Sequence, residues 1–303
     1  MLNQKVTVMD VVRNPWKIIK HYGGRGYFKW MPDELYIKIC YRAAFGNWPD
    51  LDNPVTFNEK LNWLKLHDRK PIYSKMVDKY EAKKYVAEIL GSECSVPTFG
   101  VWDSFNEIDF SKLPNSFVLK CTHDSGAVVI CKYKNKFDKL QAKKVIDKSL
   151  NREFYYVGRE WPYKNVKPRI IAEKMLDDGS GKPLVDYKFF CFDGKAKIMY
   201  ISRDGAANPT TDFFDMDFNH LPIRMKDPNS DVLPFKPKCF TEMKEIAEKL
   251  SQNIPHVRVD FFFVNNKIYV GELTFYHSAG FSHVYPEEWN YKMGDWININ
   301  INI

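Results

Sequence analysis

Residues 256–274 read HVRVDFFFV, then Asn265-Asn266, then KIYVGELT, so apolar and polar positions alternate on both sides of a turn. That two-residue period predicts a β-hairpin with one apolar face and one charged face. With Asn265, Asn266 and Lys267 as the loop, Val264 pairs with Ile268, which sets Asp260 opposite Glu272 and Arg258 opposite Thr274. Val257, Val259, Phe261 and Phe263 fall on the apolar face, while Phe262 shares the charged one.

Helical spacing governs residues 34–90. Phe57, Leu61 and Leu64 recur on one face after Thr56, an N-cap with Glu59 three positions on. A second helix is expected to start after Pro71, carry Asp78-Lys79 and stop at Gly91. From Pro97 the pattern changes to strands: TFGVW, then SFVLKC, a tight THDSG loop and AVVICKY. A helix over KLQAKKVIDKSL follows, and then the aromatic, basic stretch NREFYYVGREWPYKNVKPR, which lacks a period and reads as a long surface loop or flap. The segments RIIAEKML, LVDYKFFCF and KAKIMYIS predict three more strands, with turns at Asp178-Gly179 and Asp193-Gly194. DFFDMDFNHLP reads as strand and turn, and CFTEMKEIAEKLSQNI as a helix burying Phe240, Met243, Ile246, Ala247 and Leu250. The first 30 residues are broken by Pro15, Gly23, Gly24 and Gly26. They are expected to pack on the domain surface, the alternative being a basic amphipathic contact with the inner membrane leaflet. The terminal INININI is an edge strand or a tail.

Composition narrows the class. A chain of 303 residues, 45% hydrophobic and 16% aromatic, is globular and long enough for one elaborated domain or a few packed subdomains. Its net charge of +7 favours anionic ligands such as nucleotides, acidic glycans or an anionic membrane surface. Six cysteines without C-x-x-C spacing point to reduced thiols rather than zinc or a disulfide framework. With no apolar N-terminal leader and no long apolar run, the expected location is cytoplasmic.

The charged hairpin carries the first chemical signal. Two opposed carboxylates about 4 Å apart repel by roughly 4 kcal/mol at a surface-like dielectric, so a positive group belongs between them. A Mg²⁺ ion shared with substrate phosphates supplies it, or else Arg258 neutralises the pair on a solvated strand. Upstream, Lys120 ends FVLKC, and the hydroxyls, backbone N–H groups and single glycine of Thr122-His123-Asp124-Ser125-Gly126 suit phosphate oxygens. Neither a P-loop nor a dinucleotide-binding glycine fingerprint is present.

The ordered blocks TFNEKLNWLKL, LPNSFVLKCTHDSG, GREWPYKN, KPRIIAEKML, DYKFFCFDGK and VRVDFF…GELTF, spanning about residues 53–289, resemble the TupA-like ATP-grasp proteins of bacterial polysaccharide and teichuronopeptide loci. The resemblance implies an α+β ATP-grasp fold in which two α+β subdomains clasp a nucleotide, preceded by a helical N-terminal region. The implied divisions are an extension over 1–52, a helical region over 53–115, lobes over 116–175 and 176–295, and a tail. It implies phosphate contacts from Lys79 and Lys120 within a nucleotide loop containing Thr122, Ser125 and Gly126. Glu173 would bind the nucleotide at the hinge, with backbone contacts to adenine from Lys174 and Leu176. Asp260 and Glu272 match the metal-binding acids and Arg258 an arginine on the reacting phosphoryl group, while Lys188 could reach a phosphate or the acceptor. Thr274 stands where this fold commonly has asparagine, and HSAG replaces a proline-glycine turn, so a second metal position would rest on the Thr274 hydroxyl.

The implied activity is an ATP- and Mg²⁺-dependent carboxylate–amine ligase. It would join an amino acid or amine to an acidic glycan, a sugar nucleotide or a lipid-linked precursor, without nucleic acid. Competing readings are a metal-dependent glycosyltransferase using Asp215-Met216-Asp217, a sugar kinase on the same fold, and a non-catalytic nucleotide binder. His123, His277 and His283 read as loop residues without chemistry, and Trp161, Tyr163 and Lys164 as sugar contacts or loop anchors.

Overall fold

A computed structural model describes residues 14–203, 205 and 209–299. Alternating sequence has become two antiparallel sheets. The smaller contains β1 (Thr98–Trp102), β2 (Phe117–Cys121), β3 (Val128–Cys131) and β4 (Ile170–Glu173) in the order β1-β4-β2-β3. The larger contains β5 (Asp186–Phe192), β6 (Lys195–Arg203), β7 (Thr210–Asp215), β8 (His220–Leu221), β9 (His256–Val264) and β10 (Lys267–Thr274) in the order β10-β9-β5-β6-β7-β8.

Each sheet buries an apolar face, and the large sheet is also covered on its other face where Phe190, Phe192 and Phe213 are buried. Phe117, Leu119, Cys121, Ile170 and Ala172 of the small sheet pack with Phe105, Phe110, Ala142 and Ile146. Ala142 and Ile146 come from the helix Lys139–Leu150, capped by the Asp138 side chain on the Gln141 N–H. Strand pairing puts Val118, Lys120, Val128, Ile130, Ile171 and Glu173 on the opposite face. In the large sheet Phe189, Val259 and Phe261 pack with the helix Phe240–Leu250, which buries the five residues its period predicts.

The hairpin differs from its predicted register at one end. Asn265 and Asn266 alone form the turn, with φ of 53° and 57°, so Val264 pairs with Lys267 rather than Ile268. Positive φ at both central positions gives the mirror-image turn that matches strand twist, and asparagine tolerates it. A bulge at Gly271 then absorbs one residue, and beyond it Glu272 lies opposite Asp260 and Thr274 opposite Arg258, as expected. A side chain at position 271 would press on Phe262 and the Asp260 carbonyl.

The N-terminal half is helical: α1 (Trp16–Gly23), α2 (Asp33–Phe45), α3 (Phe57–His67), α4 (Ile72–Val77) and α5 (Glu81–Leu90). Thr56 and Glu59 close the expected capping box on α3. The single helix predicted from Pro71 to Gly91 is two. The Asp78 carboxylate accepts from the N–H groups of Tyr80 and Glu81 at 2.8 and 3.0 Å, which stops α4 and starts α5. Lys79 therefore lies between helices, and its N–H donates to the Thr122 carbonyl at 3.0 Å.

The expected flap is also different. Residues 151–169 form helical turns at Tyr155–Gly158 and Trp161–Tyr163 and bury Tyr155, Arg159, Glu160 and Tyr163. Arg159 donates to the carbonyls of Phe28 and Met31 at 2.7 and 3.3 Å, and Tyr155 donates to Asp33 at 2.5 Å. The segment shows no period because its side chains anchor in several directions, tying α2 to the rest of the molecule. All six cysteines are free, five of them buried. The basic segment before Asn14 and the last four residues of INININI lie outside the described residues. Ile297–Ile299 carries no strand, and Ile297 is buried.

The C-terminal helix Glu288–Asp295 packs against the start of α3 so closely that a methyl group on Gly294 would overlap the Val55 carbonyl and the Phe57 N–H. Gly294→Ala is expected to cost about 2–3 kcal/mol in urea unfolding; an unchanged midpoint would mean that the helix can move away freely.

Candidate active site

The charged face of the large sheet is built by register. Tyr200 on β6 pairs with Lys188 on β5, Lys188 with Asp260 on β9, and Asp260 with Glu272 on β10, so one row crosses four strands. In the next row Phe190 pairs with Arg258 and Arg258 with Thr274. Asp186 lies two residues from Lys188 on the same face.

Asp260 is buried, and three hydrogen bonds from two cations hold it, one on Oδ1 and two on Oδ2. Arg258 grips it with two hydrogen bonds, Nε to Oδ1 at 2.6 Å and Nη2 to Oδ2 at 2.7 Å, and Lys188 Nζ donates to Oδ2 at 2.7 Å. Burial alone would raise its pKa, but the two cations outweigh that and hold it below the usual carboxylate value. Arg258 also donates to the Thr274 hydroxyl at 3.1 Å and to His277 Nδ1 at 2.7 Å. Because an arginine nitrogen only donates, His277 must be unprotonated at Nδ1, and burial followed by the Arg258 charge lowers its pKa. His277, read from sequence as a loop residue, thus supports Arg258.

The expectation that Arg258 neutralises both carboxylates holds for one of them. Glu272 is half-buried, and no described residue forms a hydrogen bond or ion pair with its carboxylate. Nearby stands a residue the sequence reading missed. Glu160 is buried, and burial, opposed by Lys65 and reinforced by Glu272, pushes its pKa up to about 7. Tyr163 lies within electrostatic reach of Glu272, Glu160, Asp124 and Arg258. The sequence signals for Glu160 were the segment's aromatic density and the residue's place in the GREWPYKN block.

On the other face of the small sheet, Glu173 is buried between Lys120 Nζ at 2.7 Å and Lys83 Nζ at 2.6 Å. Burial opposes its ionisation, and the two lysines overcome that, lowering its pKa. Lys83 was not foreseen; it comes from α5. Lys79 Nζ donates to the Asp124 carbonyl. In the loop, Thr122 is buried with its hydroxyl on the Lys167 carbonyl at 3.4 Å and its N–H on the Arg169 carbonyl at 2.8 Å, whereas Ser125 and Gly126 are exposed. Asp124 is buried against the Ser149 hydroxyl, and His123 Nε2 lies 3.0 Å from the Arg152 carbonyl.

Just past β4 the Lys174 N–H donates to the Pro97 carbonyl at 2.9 Å. Leu176 packs with Leu184 and Phe262 against Val96, Val264 and Tyr269. An apolar cluster therefore joins the segment after β4 to the hairpin, which explains the phenylalanine on the charged face. Asp215, by contrast, closes its own turn by accepting from the N–H groups of Asp217 and Asn219 at 3.0 and 2.8 Å. By register it falls in the row Asp215–Ile198–Phe190–Arg258, on the charged face but three strands from Arg258.

The TupA-like ATPgrasp family model matches residues 59–298, and the chain belongs to that family. Similar solved structures include a D-alanine–D-alanine ligase from Bacillus anthracis complexed with ATP, at 15% identity and a TM-score of 0.39, covering 66% of this chain and 54% of that one. Others are the ATP-grasp ligase PsnB complexed with a minimal precursor (9% identity, 72% and 60% covered, TM-score 0.38) and a D-alanine–D-alanine ligase from Helicobacter pylori (14%, 74% and 61%, 0.37). The chain thus spans little more than half the length of these ligases. Among functionally curated proteins none matches it.

The donor set fits a magnesium ion shared with phosphates. No described cluster of three or more acids, histidines or cysteines could hold a metal on protein ligands alone. Two opposed carboxylates, one of them unpaired, are what a site completed by phosphate oxygens requires.

The Glu160 carboxyl is protonated more readily in the folded chain than in the unfolded one. Its cost is therefore absent below the unfolded pKa of about 4.5, grows as pH rises and is complete above about 7. Glu160→Gln is expected to raise unfolding free energy by about 2–3 kcal/mol at pH 8 and little at pH 4. Urea unfolding at both pH values checks this; an equal change at each would mean that the charge is not the cause.

Proposed function

We propose that this protein is an ATP-dependent carboxylate–amine ligase acting through an acyl phosphate. The observation that carries the reading is the row Lys188–Asp260–Glu272, in which one carboxylate is held by two cations while its neighbour has no ion-pair partner among the described residues. Lys79 and Lys120 would bind phosphate oxygens beside Ser125 and Gly126. Glu173, Lys174 and Leu176 would hold the nucleoside at the hinge, in lobes divided near residue 175. Asp260 and Glu272, with the Thr274 hydroxyl, would hold magnesium, which when bound neutralises phosphate charge. Arg258 then offers donors to the transferred phosphoryl group, and Lys188 to a phosphate or the acceptor.

A substrate carboxylate oxygen attacks the γ-phosphorus, and the bond to the leaving ADP oxygen breaks. The amine nitrogen then attacks the acyl carbon, phosphate leaves, and the nitrogen loses a proton. Positioning and charge stabilisation suffice for this chemistry, so the chain needs no side-chain nucleophile. The family resemblance and the net charge of +7 favour an acidic glycan or its precursor as one substrate and an amino acid or amine as the other, in cell-surface polysaccharide synthesis.

MgATP at about a hundred times its Kd is expected to raise Tm by about 5 °C. The rise should disappear in Glu272→Gln and persist in Asp215→Asn, and uronic acids with amino acids should release ADP. Stabilisation by a UDP-sugar with metal, lost in Asp215→Asn, would replace the ligase with a glycosyltransferase; phosphorylated sugar without an amide would identify a kinase.

A further inference from the structure

No acidic residue stands between Asp10 and Asp33, while Arg13, Lys17, Lys20, Arg25 and Lys29 fall in that interval. Within it, α1 runs along α2, and Gly23 packs against the Tyr36 ring with no space for a side chain. The chain that follows turns outward. Tyr22 is 42% exposed, Tyr27 67% and Trp30 76%, interleaved with exposed Arg25 and Lys29. The Tyr22 and Tyr27 rings meet edge to face at 5.6 Å, and the Arg25 guanidinium lies 5.8 Å from the Tyr22 centroid. Lys29 pairs with exposed Glu153. Beneath, Phe28 packs with Met31, Tyr36 and Cys40, and Arg159 holds the Phe28 and Met31 carbonyls, so the aromatic tip is fixed to the fold.

Single exposed apolar residues are ordinary on a protein surface. Three aromatic side chains within nine residues, each with a polar handle and alternating with cations, are a different arrangement. Tyrosine and tryptophan settle where one end meets hydrocarbon and the other meets water, and lysine or arginine beside an anionic leaflet adds about 1 kcal/mol each. Apart from Glu153 on Lys29, this stretch offers cations and no acid of its own to a surface of uniformly negative charge.

We propose that Tyr22, Arg25, Tyr27, Lys29 and Trp30 form a docking tip for an anionic lipid surface, which would hold the chain at a membrane without crossing it. No described helix is long and apolar enough to span one. The tip uses none of the residues placed in the candidate active site, so it stands or falls independently of the ligase reading.

The test is co-sedimentation of the full chain with vesicles of phosphatidylcholine alone and of an equimolar mixture with phosphatidylglycerol. Binding is expected only to the mixed vesicles and should weaken with salt. It should fall about fivefold in Arg25→Gln and at least about tenfold in Tyr27→Ser/Trp30→Ser. These exposed substitutions should leave Tm unchanged, which separates lost docking from lost folding. Equal sedimentation of wild type and the double variant, or equal binding to both vesicle types, would overturn the proposal. So would a wild-type dimer in sedimentation velocity that the double variant abolishes, since the tip would then be a contact between copies.

Discussion

The buried carboxylate of Asp260 is the constraint around which the large sheet is organised. An ionised acid at 3% exposure is tolerable only with close cations, and Arg258 and Lys188 both reach it from the same sheet face. Removing either would leave charge uncompensated in a poorly solvated place. The consequences spread outward. Arg258 must be oriented, and Thr274 and His277 do this; His277 must stay unprotonated at Nδ1, and its burial beside Arg258 ensures it. Glu272 can then face Asp260 without a direct clash of uncompensated charges, because its neighbour's charge is already balanced.

The small sheet repeats the principle with the sign of the centre unchanged: Glu173 is buried between Lys120 and Lys83. Both charged faces are thus prepared by internal ion pairs, and the cations that would meet a nucleotide are held in place by carboxylates. Among the described residues, several connections join the sheets. Lys79 bonds to the loop after β2 through its backbone, the Leu176–Phe262 cluster joins the segment after β4 to the hairpin, and residues 151–169 bury Glu160 and Tyr163 close to Glu272. The last is also the strut to α2, so the N-terminal helices are tied to the same segment that brings a carboxyl to the site.

Much of this was legible locally. The capping box at Thr56 and Glu59, the buried stripe of the helix Phe240–Leu250, and the facing of Asp260 and Glu272 follow from spacing, because caps, helix faces and strand alternation are set by neighbours a few residues apart. The hairpin loop was read one residue too long, yet the distal register was right. A two-residue turn plus a bulge at Gly271 consumes the same number of residues as a three-residue loop. The helix break at Asp78 had a local signal too, an aspartate able to cap the N–H groups beyond it, but helical periodicity across the break concealed it.

What spacing could not decide was which charges meet. The sequence by itself determined the alternation that puts Arg258, Asp260, Glu272 and Thr274 on one strand face, and the blocks that mark the family. Only the tertiary structure decided that Lys188, 72 positions from Asp260, shares its carboxylate, that His277 sets against Arg258, and that an aperiodic aromatic stretch lies buried with Glu160 near Glu272. Ion pairing depends on distances of a few ångströms between side chains remote in sequence. Those distances exist only once the strands have paired and the connecting segments have packed.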